Sequence, residues 1–89
     1  MMEVTLNSLV PLSMLKAGTT CIIDSVNSPE HMRRRLLDLG FSKGTQIKCV
    51  QHSPSGDPTA YMLRGTVIAL RKEDASHIIV RKGGDDPWA

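Results

Sequence analysis

Short runs in which apolar and polar residues alternate cover most of this chain, and turn residues separate the runs. Alternation at every second position is typical of strands with one buried face. The pattern predicts five strands, at residues 19–26, 45–51, 59–64, 66–71 and 77–81. Short strands separated by glycine turns favour a small, closed or nearly closed β-barrel, because closure removes exposed strand edges.

The phase of the alternation predicts which side chains form the core. Val26 breaks the period of the first run, which predicts a bulge near Asp24 and Ser25. Aromatic residues are scarce, so the core is expected to be mainly aliphatic. The predicted inward positions are Cys21, Ile23, Ile47, Cys49, Tyr61, Leu63, Ile68, Leu70, Ile78 and Val80.

One α-helix is predicted between the first two strands. Ser28 is expected to cap the free backbone amides, and Pro29 suits the first helical position. Gly40 is expected to end the helix in the left-handed conformation. A short helical turn is also predicted at residues 72–76. The predicted inward stripe of the helix is Met32, Leu36 and Leu39, and its opposite face carries an i, i+4 ladder of Glu30, Arg34 and Asp38.

The length of 89 residues fits one domain, which we place at residues 12–81. Residues 1–11 are interpreted as a lead-in with a short edge strand at residues 4–6, and residues 82–89 as a flexible tail. A net charge of +2 is too small to indicate nucleic-acid or anionic-membrane binding. Without a signal peptide or a span of about 20 apolar residues, we expect a cytoplasmic protein.

Neither catalysis nor a metal site is predicted. The sequence has no nucleophile elbow and no glycine-rich phosphate loop, so no catalytic residue and no cofactor is assigned. The two cysteines are interpreted as reduced thiols inside strands, although one disulfide between them stays an alternative. The histidines and cysteines lack the spacing of metal ligands, and these residues are His31, His52, His77, Cys21 and Cys49.

The chain resembles the FeoA family over residues 12–81. The resemblance rests on the order and spacing of several segments, which are Arg34-Arg35-Leu36-Leu37-Asp38-Leu39-Gly40, Lys43-Gly44-Thr45, Ser53-Pro54 with Gly56-Asp57-Pro58, Arg64-Gly65, Ile68-Ala69-Leu70-Arg71, and Glu73 and Ala75 followed by Ile78 and Val80. It implies a mainly β protein, a small SH3-like β-barrel with one inserted α-helix and a short helical turn. It also implies a cytoplasmic accessory role in ferrous iron uptake beside FeoB, a membrane transporter with a cytosolic GTP-binding domain.

Two surfaces are candidates for binding that transporter domain. The first is the helix face that carries Arg33, Arg34 and Leu37, which could equally be an ordinary solvated surface. The second is the stiff loop at residues 53–58, whose composition is also explained by turn formation alone. The candidate residues in that loop are Pro54, Asp57 and Pro58.

Two other functions stay open as alternatives. One is a transition-metal-binding regulatory module or an iron-delivery protein, which would need a set of ligands that the sequence does not reveal. The other is a small barrel that regulates through nucleic-acid binding, but such modules use exposed aromatic side chains beside a basic groove. Tyr61 is predicted to point inward, so this alternative has little support.

Overall fold

A computed structural model describes residues 9–82, which form one six-stranded sheet with the order β1-β6-β2-β3-β4-β5. Every pair of neighbouring strands is antiparallel. The strands are β1 (Leu9–Pro11), β2 (Thr20–Val26), β3 (Gln46–His52), β4 (Thr59–Leu63), β5 (Thr66–Leu70) and β6 (Ile78–Lys82). The helices are a 3₁₀ helix (Leu12–Met14), α1 (Glu30–Leu39) and α2 (Lys72–Ala75).

The predicted alternation of the strands is confirmed. All the predicted inward positions are buried except Ile68, which is partly buried and packs against the core. Four further residues that the alternation did not predict as core positions are also buried, and they are Leu12, Leu15, Phe41 and Ala75. The core is therefore mainly aliphatic, with Tyr61 and Phe41 as its aromatic members.

The predicted bulge in β2 is confirmed, since the pairing of β2 with β6 shifts register between Ile23 and Ser25. A second shift, which the sequence did not indicate, lies in β3 between Cys49 and Gln51. Bulges of this kind bend a strand and increase its twist, which helps a small sheet to curve.

The start of α1 differs from the prediction. The residue that caps α1 is Pro29, and no side chain caps the helix. Because α1 begins at Glu30, Ser28 lies one residue too early to act as the cap. The Ser28 hydroxyl is buried and has no hydrogen-bond partner in the described part of the chain.

The end of α1 explains a second difference. Gly40 has a φ of 110°, and its N–H donates to the carbonyl of Leu37, while the N–H of Phe41 donates to the carbonyl of Leu36. This hydrogen-bond pattern is a Schellman motif, which commonly brings an apolar residue after the glycine against the last turn of the helix. Phe41 is consequently fully buried, whereas Leu39 was predicted inward and is 41% exposed.

The sheet extends beyond both ends of the predicted domain at residues 12–81. Strand β1 pairs with β6 and lies inside the segment at residues 1–11 that was predicted to be a lead-in. The predicted edge strand at residues 4–6 lies outside the described residues. Of the predicted tail at residues 82–89, Lys82 is the last residue of β6 and pairs with Cys21, and residues 83–89 lie outside the described residues. Between residues 9 and 82, none of the helices has the length and hydrophobicity that a bilayer span requires.

Candidate partner-binding site

The face of α1 that carries two of the predicted residues borders a groove of about 640 Å³, formed with the end of β2 and the turn before β3. We call it the β2-side groove. Arg33 and Leu37 line it from the helix, and Lys43 lines it from the turn. The Leu37 side chain is 41% exposed, so the groove presents apolar surface between two basic residues. Its other lining residues are Asp24, Ser25, Val26, Asn27 and Ser28.

The charge of the β2-side groove is mostly positive. Asp24 is its one acidic lining residue, and its Oδ1 lies 3.0 Å from Nη2 of Arg81 in an ion pair. This pairing offsets the charge of Asp24, so Arg33 and Lys43 dominate the potential of the groove. The predicted residue Arg34 is exposed on α1 but does not line this groove.

A second groove, of about 690 Å³, lies on the other side of α1, against β5 and α2. We call it the β5-side groove. Arg35 and Leu39 line it from the helix. They are an arginine and a leucine four residues apart, as Arg33 and Leu37 are in the β2-side groove. Leu39 and Leu37 are each 41% exposed. The remaining lining residues of the β5-side groove are His31, Met32, Leu36, Ile68, Ala69, Leu70, Arg71 and Asp74.

The predicted loop at residues 53–58, which joins β3 to β4, is fixed by its own hydrogen bonds. The N–H of Gly56 donates to the carbonyl of Ser53 at 2.8 Å, and Gly56 has a φ of 90°. The Ser55 hydroxyl donates to the carbonyl of Asp57 at 3.0 Å, and the bond between Asp57 and Pro58 is cis. The Asp57 carboxylate accepts a 2.8 Å hydrogen bond from the N–H of Lys72.

The structure therefore divides the predicted site residues into separate groups. Arg33 and Leu37 share the β2-side groove, and Arg34 lies on the outer surface of the same helix. The other three residues belong to a loop that is anchored to the start of α2, and they are Pro54, Asp57 and Pro58. Sequence reasoning missed Lys43, although the turn that follows Gly40 was the signal that could have placed it beside the helix.

The cysteines are free and buried, as the sequence predicted. Desolvation raises the pKa of Cys21 to about 12 and also raises the pKa of Cys49. Both side chains are therefore neutral thiols at physiological pH, which makes them poor nucleophiles and poor metal ligands.

A histidine lies close to one of these thiols. The Sγ of Cys49 lies 4.0 Å from Nε2 of His52, and Nδ1 of His52 lies 2.8 Å from the hydroxyl of Thr59. Among residues 9–82, no three His, Cys, Asp or Glu side chains converge in a way that could hold a metal ion. Cys49 is buried while His52, the last residue of β3, is exposed, so this contact lies at the edge of the barrel.

Comparison with known families identifies the domain. The FeoA domain matches residues 10–82, which is most of the chain. The chain belongs to the FeoA family. The match includes strands β2 to β6, all of β1 except Leu9, and both grooves beside α1.

Solved FeoA structures confirm the fold. The FeoA protein from Chlorobium tepidum, solved by solution NMR, is 35% identical and superposes with a TM-score of 0.81, covering 86% of this chain and 73% of that one. The zinc complex of FeoA from Stenotrophomonas maltophilia is 33% identical with a TM-score of 0.70, covering 78% of this chain and 86% of that one. The latter is described as a prokaryotic SH3 domain protein, so the SH3-like fold implied by the resemblance is confirmed.

A curated relative carries a second domain. The chain is 38% identical over 69 residues to a fusion of Fe(2+) transport protein A with the Fe(2+) transporter FeoB, from Porphyromonas gingivalis. The match covers 78% of this chain but only 8% of the fusion protein's length. The similar region is thus the FeoA part of a much longer polypeptide.

Proposed function

We propose that this FeoA-family chain is a non-enzymatic accessory component of ferrous iron uptake, which binds and modulates a FeoB-type transporter from the cytoplasm. The fusion in Porphyromonas gingivalis carries this proposal, since a similar domain shares one polypeptide with a FeoB transporter there. Covalent linkage keeps two domains at a high effective concentration, which favours an intramolecular contact. A FeoA-family chain that is separate from the transporter would have to make the same contact by binding to it.

The β2-side groove is the proposed contact surface on this chain. Leu37 offers apolar area that a partner can bury, and Arg33 beside it offers a guanidinium that can bind carboxylates. Arg34, on the adjoining outer face of α1, would lie at the rim of the contact. The loop at residues 53–58 stays a second candidate, with Pro54 and Pro58 exposed on a preformed surface.

A docking function fits the rest of the described surface. Each groove beside α1 is lined by both charged and apolar side chains. A mixed charged and apolar lining is typical of protein interfaces, whereas pockets for small substrates are mostly apolar and enclosed. The proposal therefore includes no chemical step by this chain.

An NMR titration tests the proposal. The ¹⁵N-labelled chain is titrated with the cytosolic GTP-binding domain of the FeoB-type transporter from the same organism, loaded with GDP or with a non-hydrolysable GTP analogue. We expect saturable shifts at Arg33, Arg34 and Leu37, and a changed GTP hydrolysis rate when the chain is in excess. Spectra that do not change in either nucleotide state would contradict the proposal.

A further inference from the structure

The β2-side groove continues into a longer surface. A second depression, lined by Lys43, Gly44, Thr45, Gln46 and Arg64, shares Lys43 with the groove. A third depression, which runs over β3 and β4, shares Gln46 and Arg64 with the second. The three depressions therefore adjoin one another through shared lining residues, and together they make a strip from α1 to the turn between β4 and β5. We call it the basic strip.

The basic strip has a strong excess of positive charge. Arg33, Lys43, Lys48 and Arg64 line its three depressions, and each of these residues is exposed. The one carboxylate that lines the strip is Asp24, which is paired with Arg81 at 3.0 Å. The β5-side groove is more nearly balanced, with Arg35 and Arg71 opposite the carboxylate of Asp74.

Two exposed apolar side chains lie beside these cations. Leu37 is 41% exposed near one end of the strip, and Met62 is 39% exposed near the other. Met62 lies directly opposite Lys48 in the pairing of β3 with β4. Exposed basic side chains, with an apolar side chain near each end of the strip, complement a partner segment that carries both carboxylates and apolar side chains.

The backbone at Arg64 provides a separate observation. Arg64 has a φ of 53°, the one positive φ of a non-glycine residue in the described part of the chain. Arginine is unfavourable there, since glycine, asparagine and aspartate are the residues that commonly adopt this conformation. Arg64 and Gly65 are the two central residues of the hairpin between β4 and β5, with φ of 53° and 78°, and a type I′ turn requires positive φ at both. The turn accounts for this conformation, and it places the Arg64 cation in the lining of the strip.

From these observations we infer that the basic strip is the docking surface for an acidic protein segment of the transporter, one in which aspartate or glutamate residues flank an apolar side chain. The inference rests on the proposed function and specifies the partner chemistry of the same site. It extends the predicted site beyond Arg33 and Leu37 to Lys43 and Arg64, across the turn that follows α1. Because the cations are exposed, the attraction is screened by salt.

Charge reversals with matched controls test the inference. The strip variants are Lys43→Glu and Arg64→Glu, and the controls are Lys72→Glu and Arg71→Glu, which reverse exposed charges outside the strip. Binding of each variant to the GTP-binding domain is measured by calorimetry at several salt concentrations. We expect each strip variant to weaken binding about tenfold at low salt and each control to weaken it less than about twofold. Thermal melting confirms that every variant is folded.

Two further probes separate the inference from the proposed function. One is a synthetic peptide that repeats Glu-Glu-Leu, and the other is a vesicle of phosphatidylserine and phosphatidylcholine. We expect the peptide to shift the amide signals of Lys43, Lys48 and Arg64 at low salt, and the Arg64→Glu substitution to abolish that effect. Vesicles are expected to bind the strip variants and the controls equally.

Each outcome decides between the two proposals. If the transporter domain binds and the strip variants match the controls, the strip is wrong and the proposed function stands. If the transporter domain does not bind but the peptide does, the proposed function and the inference that rests on it are both wrong, and the strip is only a surface that recognises acidic segments. If neither the transporter domain nor the peptide binds, both proposals are overturned. Binding to vesicles that requires Arg64, without any strip-dependent protein binding, would make the strip a lipid-binding surface and overturn the inference.

Discussion

The carboxylate of Asp57 accepts a 2.8 Å hydrogen bond from the backbone N–H of Lys72, a residue 15 positions further along the chain. Lys72 begins α2, and the residue that precedes it, Arg71, provides no side-chain cap. Asp57 therefore supplies from another loop the acceptor that a capping residue normally supplies locally. The contact joins the β3–β4 loop to the start of α2 and gives Asp57 a structural role.

Substitution of Asp57 tests this role. We expect Asp57→Ala to lower the free energy of unfolding by about 1 kcal/mol, as for the loss of a capping side chain. Asp57→Asn should lose less, because its amide oxygen can accept the same hydrogen bond. Urea denaturation of both variants measures the difference. Equal stability of Asp57→Ala and the wild type would show that the contact contributes nothing.

The strands were the most predictable part of this protein. Side chains of a strand alternate between its two faces, so a shift of one residue would expose its whole set of apolar side chains. The alternating pattern therefore predicts clearly which face of each strand is buried. Ile47, Cys49, Ile78 and Val80 follow that period and are all fully buried. The residues whose burial depends on the connections were not predictable in this way. Phe41 enters the core only because Gly40 turns the chain after α1.

The candidate site was only partly predictable. Arg33 and Leu37 were identified because they lie four residues apart on a predicted helix, and local periodicity places such residues on one face. Lys43 and Arg64 come from separate turns, and their proximity to that face depends on how the turns fold back. The structural role of Asp57 was not predictable, because its partner, Lys72, is distant in sequence.

Ser28 offers a direct test of where α1 begins. The Ser28 hydroxyl is buried and lacks a partner within residues 9–82. Removal of a buried, unpaired hydroxyl is nearly neutral or stabilising, whereas the loss of a true helix cap costs about 1 kcal/mol. We therefore expect Ser28→Ala to change the free energy of unfolding by less than about 0.5 kcal/mol. A loss of about 1 kcal/mol or more in urea denaturation would restore Ser28 as the cap.

Gly40 and Gly44 form a matched pair for the end of α1. Both have positive φ, at 110° and 89°, but a Cβ at Gly40 would lie 3.3 Å from Cδ1 of Leu63 while a Cβ at Gly44 would meet nothing within 4 Å. Gly44→Ala should cost about 1–2 kcal/mol from backbone conformation alone. We expect Gly40→Ala to cost more, because Leu63 must also move. Equal losses in thermal denaturation would mean that the contact is irrelevant.

The buried thiols predict a loss of stability at alkaline pH. Desolvation raises the pKa of Cys21 from 9.0 to about 12, so an unfolded chain loses this proton at a lower pH than the folded one. Above pH 9 the unfolded state therefore binds fewer protons, and the free energy of unfolding falls as the pH rises. Tyr61, whose pKa burial raises to about 12 from 10.0, adds to the fall above pH 10.

A comparison with Cys21→Ala isolates the contribution of that thiol. We expect the free energy of unfolding to fall less steeply between pH 8 and pH 10 in the variant than in the wild type, by urea denaturation with a reductant present. The cavity left by the substitution lowers the free energy of unfolding by the same amount at every pH. Any change in the pH dependence therefore comes from the loss of the thiol. Identical slopes would contradict the assignment of the alkaline loss to Cys21.

Leu37 and Leu39 allow the two grooves beside α1 to be tested against each other. Both are leucines of the same helix with 41% exposure, but Leu37 lines the β2-side groove and Leu39 the β5-side groove. Similar exposure predicts similar effects of alanine on stability, so the two variants differ mainly in which surface they alter. If the transporter domain docks on the β2-side groove, Leu37→Ala should weaken its binding by about 1–2 kcal/mol, or roughly five- to thirtyfold.

The same substitution at Leu39 serves as the control. Leu39→Ala should leave the dissociation constant, measured by calorimetry, within about twofold of the wild-type value, because Leu39 lies outside the β2-side groove. A loss of affinity in Leu39→Ala with none in Leu37→Ala would place the contact on the β5-side groove. That result would keep α1 as the docking helix while reversing the side on which the partner binds, and it would remove the basic strip from the interface.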